Sequence, residues 1–106
     1  MDIYQQIVNL APKKRGFHLV SGELLRQLPG IASFKIGLAH IQLLHTSAGL
    51  CLNENADPDV RHDMETIFNT IVPEDIPGLL HTLEGSDDMP AHAKSALLGT
   101  QLSIPV

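Results

Sequence analysis

Histidines and carboxylates are concentrated in the middle of this chain. Ten of its twelve Asp and Glu residues and five of its six His residues lie between residues 40 and 92, where Arg61 is the single Lys or Arg. Crowded carboxylates repel one another unless a cation, a shared proton or solvent relieves the repulsion. Imidazole is in addition a common metal ligand. This composition predicts a metal-assisted or acid/base site within the stretch.

The segment HTLEGSDDMPAH contains His81 and His92 with three carboxylates between them, Glu84, Asp87 and Asp88. A loop of this composition is able to wrap a cation. His92 falls near the start of a predicted helix, where the helix dipole favours the neutral imidazole that binds metals. The spacing matches no zinc motif as distinctive as HExxH, so the alternative is a surface histidine that caps or packs locally.

A second polar run begins where a long apolar segment ends. His45 is followed directly by Thr46 and Ser47, whose hydroxyls could hold a substrate oxygen or a water molecule. Asn53 and Glu54 follow the next predicted strand, and groups at strand ends often converge on a site. The alternative for Asn53 and Glu54 is a simple turn.

The clearest predicted helix begins at Asp57-Pro58, a capping carboxylate followed by a proline at the first helical position. At 100° per residue, its apolar side chains share one face and His62 lies nearly opposite. Asp63 falls at the edge of the apolar face, which makes it a better candidate than His62 for a role in chemistry. The apolar residues are Val60, Met64, Ile67, Phe68 and Ile71.

Other elements are predicted around this helix. A short helix follows Ser21, and another covers Pro90–Leu98, preceded by Asp87 and Asp88 as capping residues and closed by Gly99. Strands are predicted at residues 3–10, 17–20, within 34–44, at 48–53 and at 101–106.

Length and charge limit the classes of function. A chain of 106 residues fits one small domain, and its net charge of −5 disfavours nucleic acid and anionic membranes as partners. No secretory signal or transmembrane run occurs, which predicts a cytoplasmic protein. Cys51 is the single cysteine, so an internal disulfide is excluded.

The blocks HTSAGLCLNENADPDVRHD and HTLEGSDDMPAHAKSALLG, with the opening RGFHLV, closely resemble the YjbQ-like family, whose members are described as secondary thiamine-phosphate synthases. The resemblance implies one α+β domain over residues 1–106, a β-sandwich of mixed strands flanked by helices. It also implies a homotrimer with a histidine-rich, metal-capable pocket at or near the subunit contacts. His45, His81 and His92 correspond to the family's histidine positions, and Glu54, Asp57 and Asp63 fall in its acidic block.

On that resemblance, the protein condenses a pyrimidine diphosphate with a thiazole phosphate. A divalent metal, zinc or magnesium, would be held by the three histidines, and Asp63 or Glu54 would move a proton. The small-molecule substrate would meet Thr46, Ser47, Asn53 and Lys94. Because cationic side chains that bind diphosphate are scarce near these blocks, the expected activity is weak.

Two alternatives to the synthase stay open. One is a metal-binding trimer with another role, either a hydrolase acting on a small substrate or a non-catalytic binding module. The other is a structural protein whose histidines and carboxylates form a satisfied polar network.

The resemblance also implies a difference at the C-terminus. Relatives continue beyond the strand at residues 101–106 through a glycine-rich turn and a Gly-Thr-Trp-Gln segment, whereas this chain contains no tryptophan. The chain is therefore expected to lack the family's C-terminal strands and to expose apolar sheet edges, with reduced stability or activity.

Overall fold

The computed structural model describes residues 2–106 and has an α+β architecture. The helices are α1 (Ser21–Arg26), α2 (Pro58–Ile71) and α3 (Asp88–Leu98), the strands are β1 (Leu38–Gln42) and β2 (Gln101–Pro105), and a 3-10 turn covers Pro29–Ser33. The predicted α+β class is confirmed. The described residues form a two-stranded sheet, and the β-sandwich stays a prediction.

The two strands pair antiparallel although some sixty residues separate them in the chain. The register runs from Leu38 opposite Pro105 to Gln42 opposite Gln101. The pairing continues past β1, because the Leu43 amide donates to the Thr100 carbonyl at 2.8 Å. The sheet therefore places the residues after β1, including His45 and Thr46, beside the C-terminal end of α3.

Three of the predicted strands are not strands among the described residues, namely 3–10, 17–20 and 48–53. Side chains satisfy part of the backbone in the first of them. The Asn9 amide donates to the Gln27 side chain at 3.1 Å, and the Gln27 side-chain amide donates back to the Asn9 carbonyl at 2.8 Å. Alternating sequence patterns are insufficient for a strand when no neighbouring backbone edge lies beside them.

Helix α2 begins where its sequence predicts. The Asp57 side chain accepts a hydrogen bond from the Asp59 amide at 2.9 Å, and Pro58 occupies the first helical position. Phe68 on this helix packs against Phe17 with ring centroids 5.5 Å apart. This contact joins the N-terminal segment to α2.

Helix α3 begins two residues earlier than predicted, at Asp88. Asp87 occupies the N-cap position but makes no side-chain capping hydrogen bond. The predicted end is confirmed, since Gly99 has a φ of 87° and its amide donates to the Ser95 carbonyl at 2.8 Å. Asp88 is thus part of the helix, and its carboxylate is available for other contacts.

Little of the described chain is fully buried. Among the described residues, the buried ones are Val72, Pro90 and Ser95. The accessible surface is 8079 Å², against about 5,800 Å² for a compact monomer of this mass. The radius of gyration is 16.1 Å, against about 13 Å for a compact domain of about 100 residues. Substantial apolar surface therefore faces solvent. Within residues 2–106 no helix has the length and hydropathy needed to cross a bilayer.

Candidate metal centre

Two imidazoles converge on one carboxylate at the start of α3. Asp88 Oδ2 lies 2.6 Å from His81 Nε2 and 3.1 Å from His92 Nε2. One ligand atom from each of the three residues falls within 4.8 Å of the other two, which is close enough for a shared ion. The His81 and His92 rings stand edge to face with centroids 5.5 Å apart. His81, Asp88 and His92 are called the His-Asp cluster below.

Local helical geometry supplies two of the three members of the His-Asp cluster. Asp88 and His92 are four residues apart on α3, so their side chains lie on the same face of the helix. His81 arrives from residues 72–87, a segment without helix or strand. The cluster therefore combines a rigid element with a long loop.

The ring orientation of His92 is fixed by backbone from another part of the chain. Its Nδ1 lies 2.7 Å from the Thr46 carbonyl oxygen. Because a carbonyl can only accept, Nδ1 carries the hydrogen and donates it. Nε2 is then the nitrogen that faces Asp88 and the one available to a metal, an arrangement common among metal-binding histidines.

Mutual attraction within the cluster shifts two pKa values. The hydrogen bond to Asp88, helped by the charge of Glu84, raises the pKa of His81 above its ordinary 6.5. The same hydrogen bond lowers the pKa of Asp88 below its ordinary 3.8. Glu84 Oε2 lies 3.6 Å from His81 Nε2 and is a further carboxylate at the edge of the cluster. The hydrogen bond therefore favours the imidazolium form of His81 and the carboxylate form of Asp88.

The structure brings together two of the three histidines predicted to bind metal. His81 and His92 belong to the cluster, and His45 lies outside it. The Ser47 amide donates to His45 Nδ1 at 3.0 Å, so that nitrogen is an acceptor, already engaged. His45 nevertheless lines a cavity of about 600 Å³ that His92 and Thr46 also line.

The predicted proton-transfer residues lie apart from the cluster. The Asp63 side chain is 72% exposed and its contact is with His62, at 3.4 Å. Glu54 is exposed, and its amide donates to the Asn53 side chain at 2.7 Å. Neither carboxylate is hydrogen-bonded to the His-Asp cluster among the described residues.

The four predicted substrate-contacting residues are dispersed. Thr46 contributes its carbonyl to His92, and Ser47 contacts His45. The Asn53 side chain accepts a hydrogen bond from the backbone amide of the next residue, Glu54. Lys94 points to α2, where it donates to Asn69 Oδ1 at 2.6 Å. Thr46 is therefore the member of this set that directly touches the cluster.

Sequence reasoning placed Asp88 in the loop able to wrap a cation and also among the capping residues, but did not select it as a metal ligand. The usable signal was the spacing Asp88-x-x-x-His92, which places a carboxylate and an imidazole on one helical face. The capping interpretation competed because two acidic residues precede the predicted helix, and capping explains such residues in most helices.

The family model of UPF0047 protein YjbQ-like matches residues 6–106. A UPF0047 protein YjbQ from Escherichia coli O157:H7 is 53% identical over 97% of this chain and 74% of the relative, and one from Salmonella typhimurium is 50% identical over the same shares. A UPF0047 protein from Synechocystis is 39% identical over 97% of this chain and 69% of that protein.

Solved structures are also similar to this chain. An uncharacterised YjbQ/UPF0047 family protein from Clostridium acetobutylicum is similar with a TM-score of 0.67 and 30% identity over 82% of this chain. A conserved hypothetical protein from Thermus thermophilus has a TM-score of 0.69 and 32% identity over 84% of this chain. This chain spans 64% and 65% of the length of those two structures.

The thiamine-phosphate synthase prediction is wrong on these findings. The relatives at 50% and 53% identity are named as UPF0047 proteins, a family without a characterised activity, and those names refer to no synthase. The site agrees with this correction. Lys94, one of the few cations near it, is directed to Asn69 instead of to the cluster, where diphosphate oxygens would need positive charge.

Proposed function

This chain belongs to the UPF0047 YjbQ-like family, and from that premise we propose that it is a metal-binding protein. His81, Asp88 and His92 hold one divalent transition-metal ion through the two Nε2 atoms and a carboxylate oxygen. The observation that carries the proposal is the convergence of both nitrogens on Asp88 Oδ2, at 2.6 and 3.1 Å. Because metal-binding side chains must give up their protons, binding of the ion would release a proton from His81.

The donor set favours zinc over magnesium. Two imidazoles and one carboxylate match the ligands of open zinc sites, whereas magnesium prefers oxygen atoms and retains several waters. The Thr46 carbonyl supports this choice, because it holds His92 in the tautomer that presents Nε2. Zinc is accordingly the probe of choice.

Three protein ligands leave room for a small molecule at the ion. A bound ion of this class supplies Lewis acidity for hydrolysis. Glu84, 3.6 Å from His81, is the carboxylate at the edge of the cluster suited to accept a proton. The open cavity of about 600 Å³ beside His92 offers space for a small substrate. We infer hydrolysis of such a substrate as the reaction class.

Calorimetric titration with zinc tests the binding proposal. The wild-type protein is expected to bind one ion per chain, and His81→Ala and His92→Ala are expected to lose that binding. His62→Ala is the matched control, because His62 is 80% exposed on α2 and contacts Asp63 instead of Asp88. Equal zinc binding by all four proteins would remove the His-Asp cluster as the site.

Turnover separates a hydrolase from a non-catalytic binding module. Zinc-loaded wild-type protein and Glu84→Gln are assayed on a panel of small esters, amides and phosphate esters. A hydrolase loses turnover in Glu84→Gln while its zinc affinity changes little. Zinc binding without turnover on the panel would leave the binding module as the function.

We also propose that copies of the chain associate as a homotrimer. Leu80 is 95% exposed and Leu83 is 100% exposed, and both flank His81 in the same loop. Contiguous exposed apolar side chains are typical of interaction surfaces. Light scattering after gel filtration distinguishes a trimer from a monomer of 11.5 kDa. The finer predictions of a β-sandwich and a cytoplasmic location remain part of this proposal.

A further inference from the structure

The loop that carries His81 is held mainly by polar contacts. From residue 74 to residue 86 the chain forms no helix or strand. Leu79 is half-buried, and the other residues of this range are exposed. One backbone hydrogen bond within the loop, from the Gly85 amide to the Thr82 carbonyl, has a length of 3.4 Å. Apolar burial therefore contributes little to the position of His81.

Glu74 links the two ends of this loop. Its Oε2 accepts a hydrogen bond from the Ser86 hydroxyl at 3.0 Å, which closes a ring across twelve residues. His81 lies near the middle of that ring, and Asp88 follows Ser86 by two residues. A side-chain contact at the base of a loop restricts every residue within it.

The other oxygen of Glu74 ties the loop to the rest of the molecule. Glu74 Oε1 accepts from the Arg15 guanidinium, which also contacts Glu65 on α2 at 3.2 Å. The Arg15 hydrogen bond is the main reason that the pKa of Glu74 lies below its ordinary value of 4.5. Glu74 is therefore ionised at neutral pH and able to accept both hydrogen bonds at once.

The interior of the loop is not filled by its own side chains. Glu74, Ser86 and His81 line a shared cavity of about 240 Å³. A well-packed loop would fix His81 by contact, and this one leaves space beside the ring. The polar closure at Glu74 therefore acts together with the His81–Asp88 hydrogen bond to limit where His81 can lie.

We propose that Glu74 is a positioning residue that, through Ser86 and Arg15, presents His81 to Asp88 and His92 before any ion binds. This inference rests on the proposed metal-binding function. Pre-organisation of this kind raises affinity because less loop entropy is lost when the ion arrives. We call the contacts of Glu74 with Ser86 and Arg15 the Glu74 clasp.

Zinc affinities of four variants, measured by competition with a chelating dye, test the Glu74 clasp. Glu74→Ala is expected to weaken zinc binding about tenfold, within the range known for residues that support metal ligands. Ser86→Ala is expected to weaken it less, and Ser86→Thr, which keeps the hydroxyl, to restore it. Glu65→Gln is the matched control, since it alters the other carboxylate partner of Arg15 and leaves the clasp in place.

Backbone ¹⁵N relaxation of the metal-free protein supplies a readout that general destabilisation does not move. In Glu74→Ala, residues 79–85 are expected to gain nanosecond motion, whereas α2 and α3 keep wild-type values. Unchanged relaxation in the loop, or equal zinc affinity in Glu74→Ala and wild type, would overturn the clasp. Absence of zinc binding by the wild type would overturn the proposed function instead, and relaxation would still decide the clasp.

Discussion

Helix α3 and the loop at residues 72–87 meet at one cluster but hold their ligands by different means. Asp88 and His92 are set four residues apart on a helix whose end is fixed by Gly99. His81 comes from a largely exposed loop held by the Glu74 clasp. Local helix geometry thus positions Asp88 and His92, whereas a few polar contacts hold His81. Substitutions in the two regions should therefore change zinc affinity and stability in different ways.

Among the changes that compare the helix with the loop, Asp88→Ala should have the largest effect, because it removes the atom that both histidines face. We expect zinc affinity to fall about 100-fold, the upper end of losses for residues that support or complete a metal site. Thermal unfolding in the absence of zinc checks that α3 still forms. An affinity close to that of the wild type would mean that the two regions do not share a ligand.

The pH dependence of zinc affinity should also distinguish the loop from α3. His81 must lose its proton to bind an ion, and the Asp88 hydrogen bond raises its pKa above 6.5. Zinc affinity is expected to fall by up to about tenfold per pH unit below that raised pKa. Titrations between about pH 5.5 and about pH 8.5, the range in which a histidine changes its charge, measure this slope. A flat profile would contradict proton competition at His81.

The stability of the metal-free protein should follow the opposite trend. The raised pKa of His81 adds stability that is complete below 6.5 and disappears as the pH rises through the folded-state value. The lowered pKa of Asp88 adds stability above 3.8 that is lost as the pH falls through its folded-state value. The difference in melting temperature between wild type and Asp88→Asn should be largest between those limits. An equal difference at about pH 5 and at about pH 9 would be inconsistent with this linkage.

Gly99→Ala tests the contribution of α3 alone. Gly99 has a φ of 87°, a backbone conformation that strains a residue with a Cβ, so unfolding free energy should fall by about 1 kcal/mol. Denaturant unfolding measures the change. Zinc affinity should change less than in Glu74→Ala. A larger loss of affinity than of stability would show that the helix end, not the loop, limits the site.

Leu83→Ser should have the smallest effect on the isolated chain. Leu83 is fully exposed, so its replacement is expected to alter unfolding free energy by less than about 0.5 kcal/mol. Melting curves over a wide range of protein concentration provide the measurement. A loss of stability that depends on protein concentration would place Leu83 in the contact between copies. A neighbouring copy would then help to hold the loop in place.

Local patterns predicted the helical parts of the fold well. Asp57-Pro58 fixed the start of α2 and Gly99 the end of α3, because capping depends on residues close in sequence. The predicted strands at 3–10, 17–20 and 48–53 did not form, since strand formation needs a partner edge that no local pattern supplies. The site shows the same contrast between local and long-range information. The local pattern placed His92 near the start of α3, whereas Asp88 was interpreted as a capping residue.

By itself the sequence determined that histidines and carboxylates concentrate between residues 40 and 92, and that His81 and His92 belong to one acidic segment. Composition and helical period are local properties and can be read directly from the chain. The tertiary structure decided that His81 closes onto Asp88 and that the Thr46 carbonyl orients His92 across forty-six residues. It also left His45 outside the cluster. Such contacts depend on how the sheet and the loop return the chain to α3, and no spacing in the sequence encodes that return.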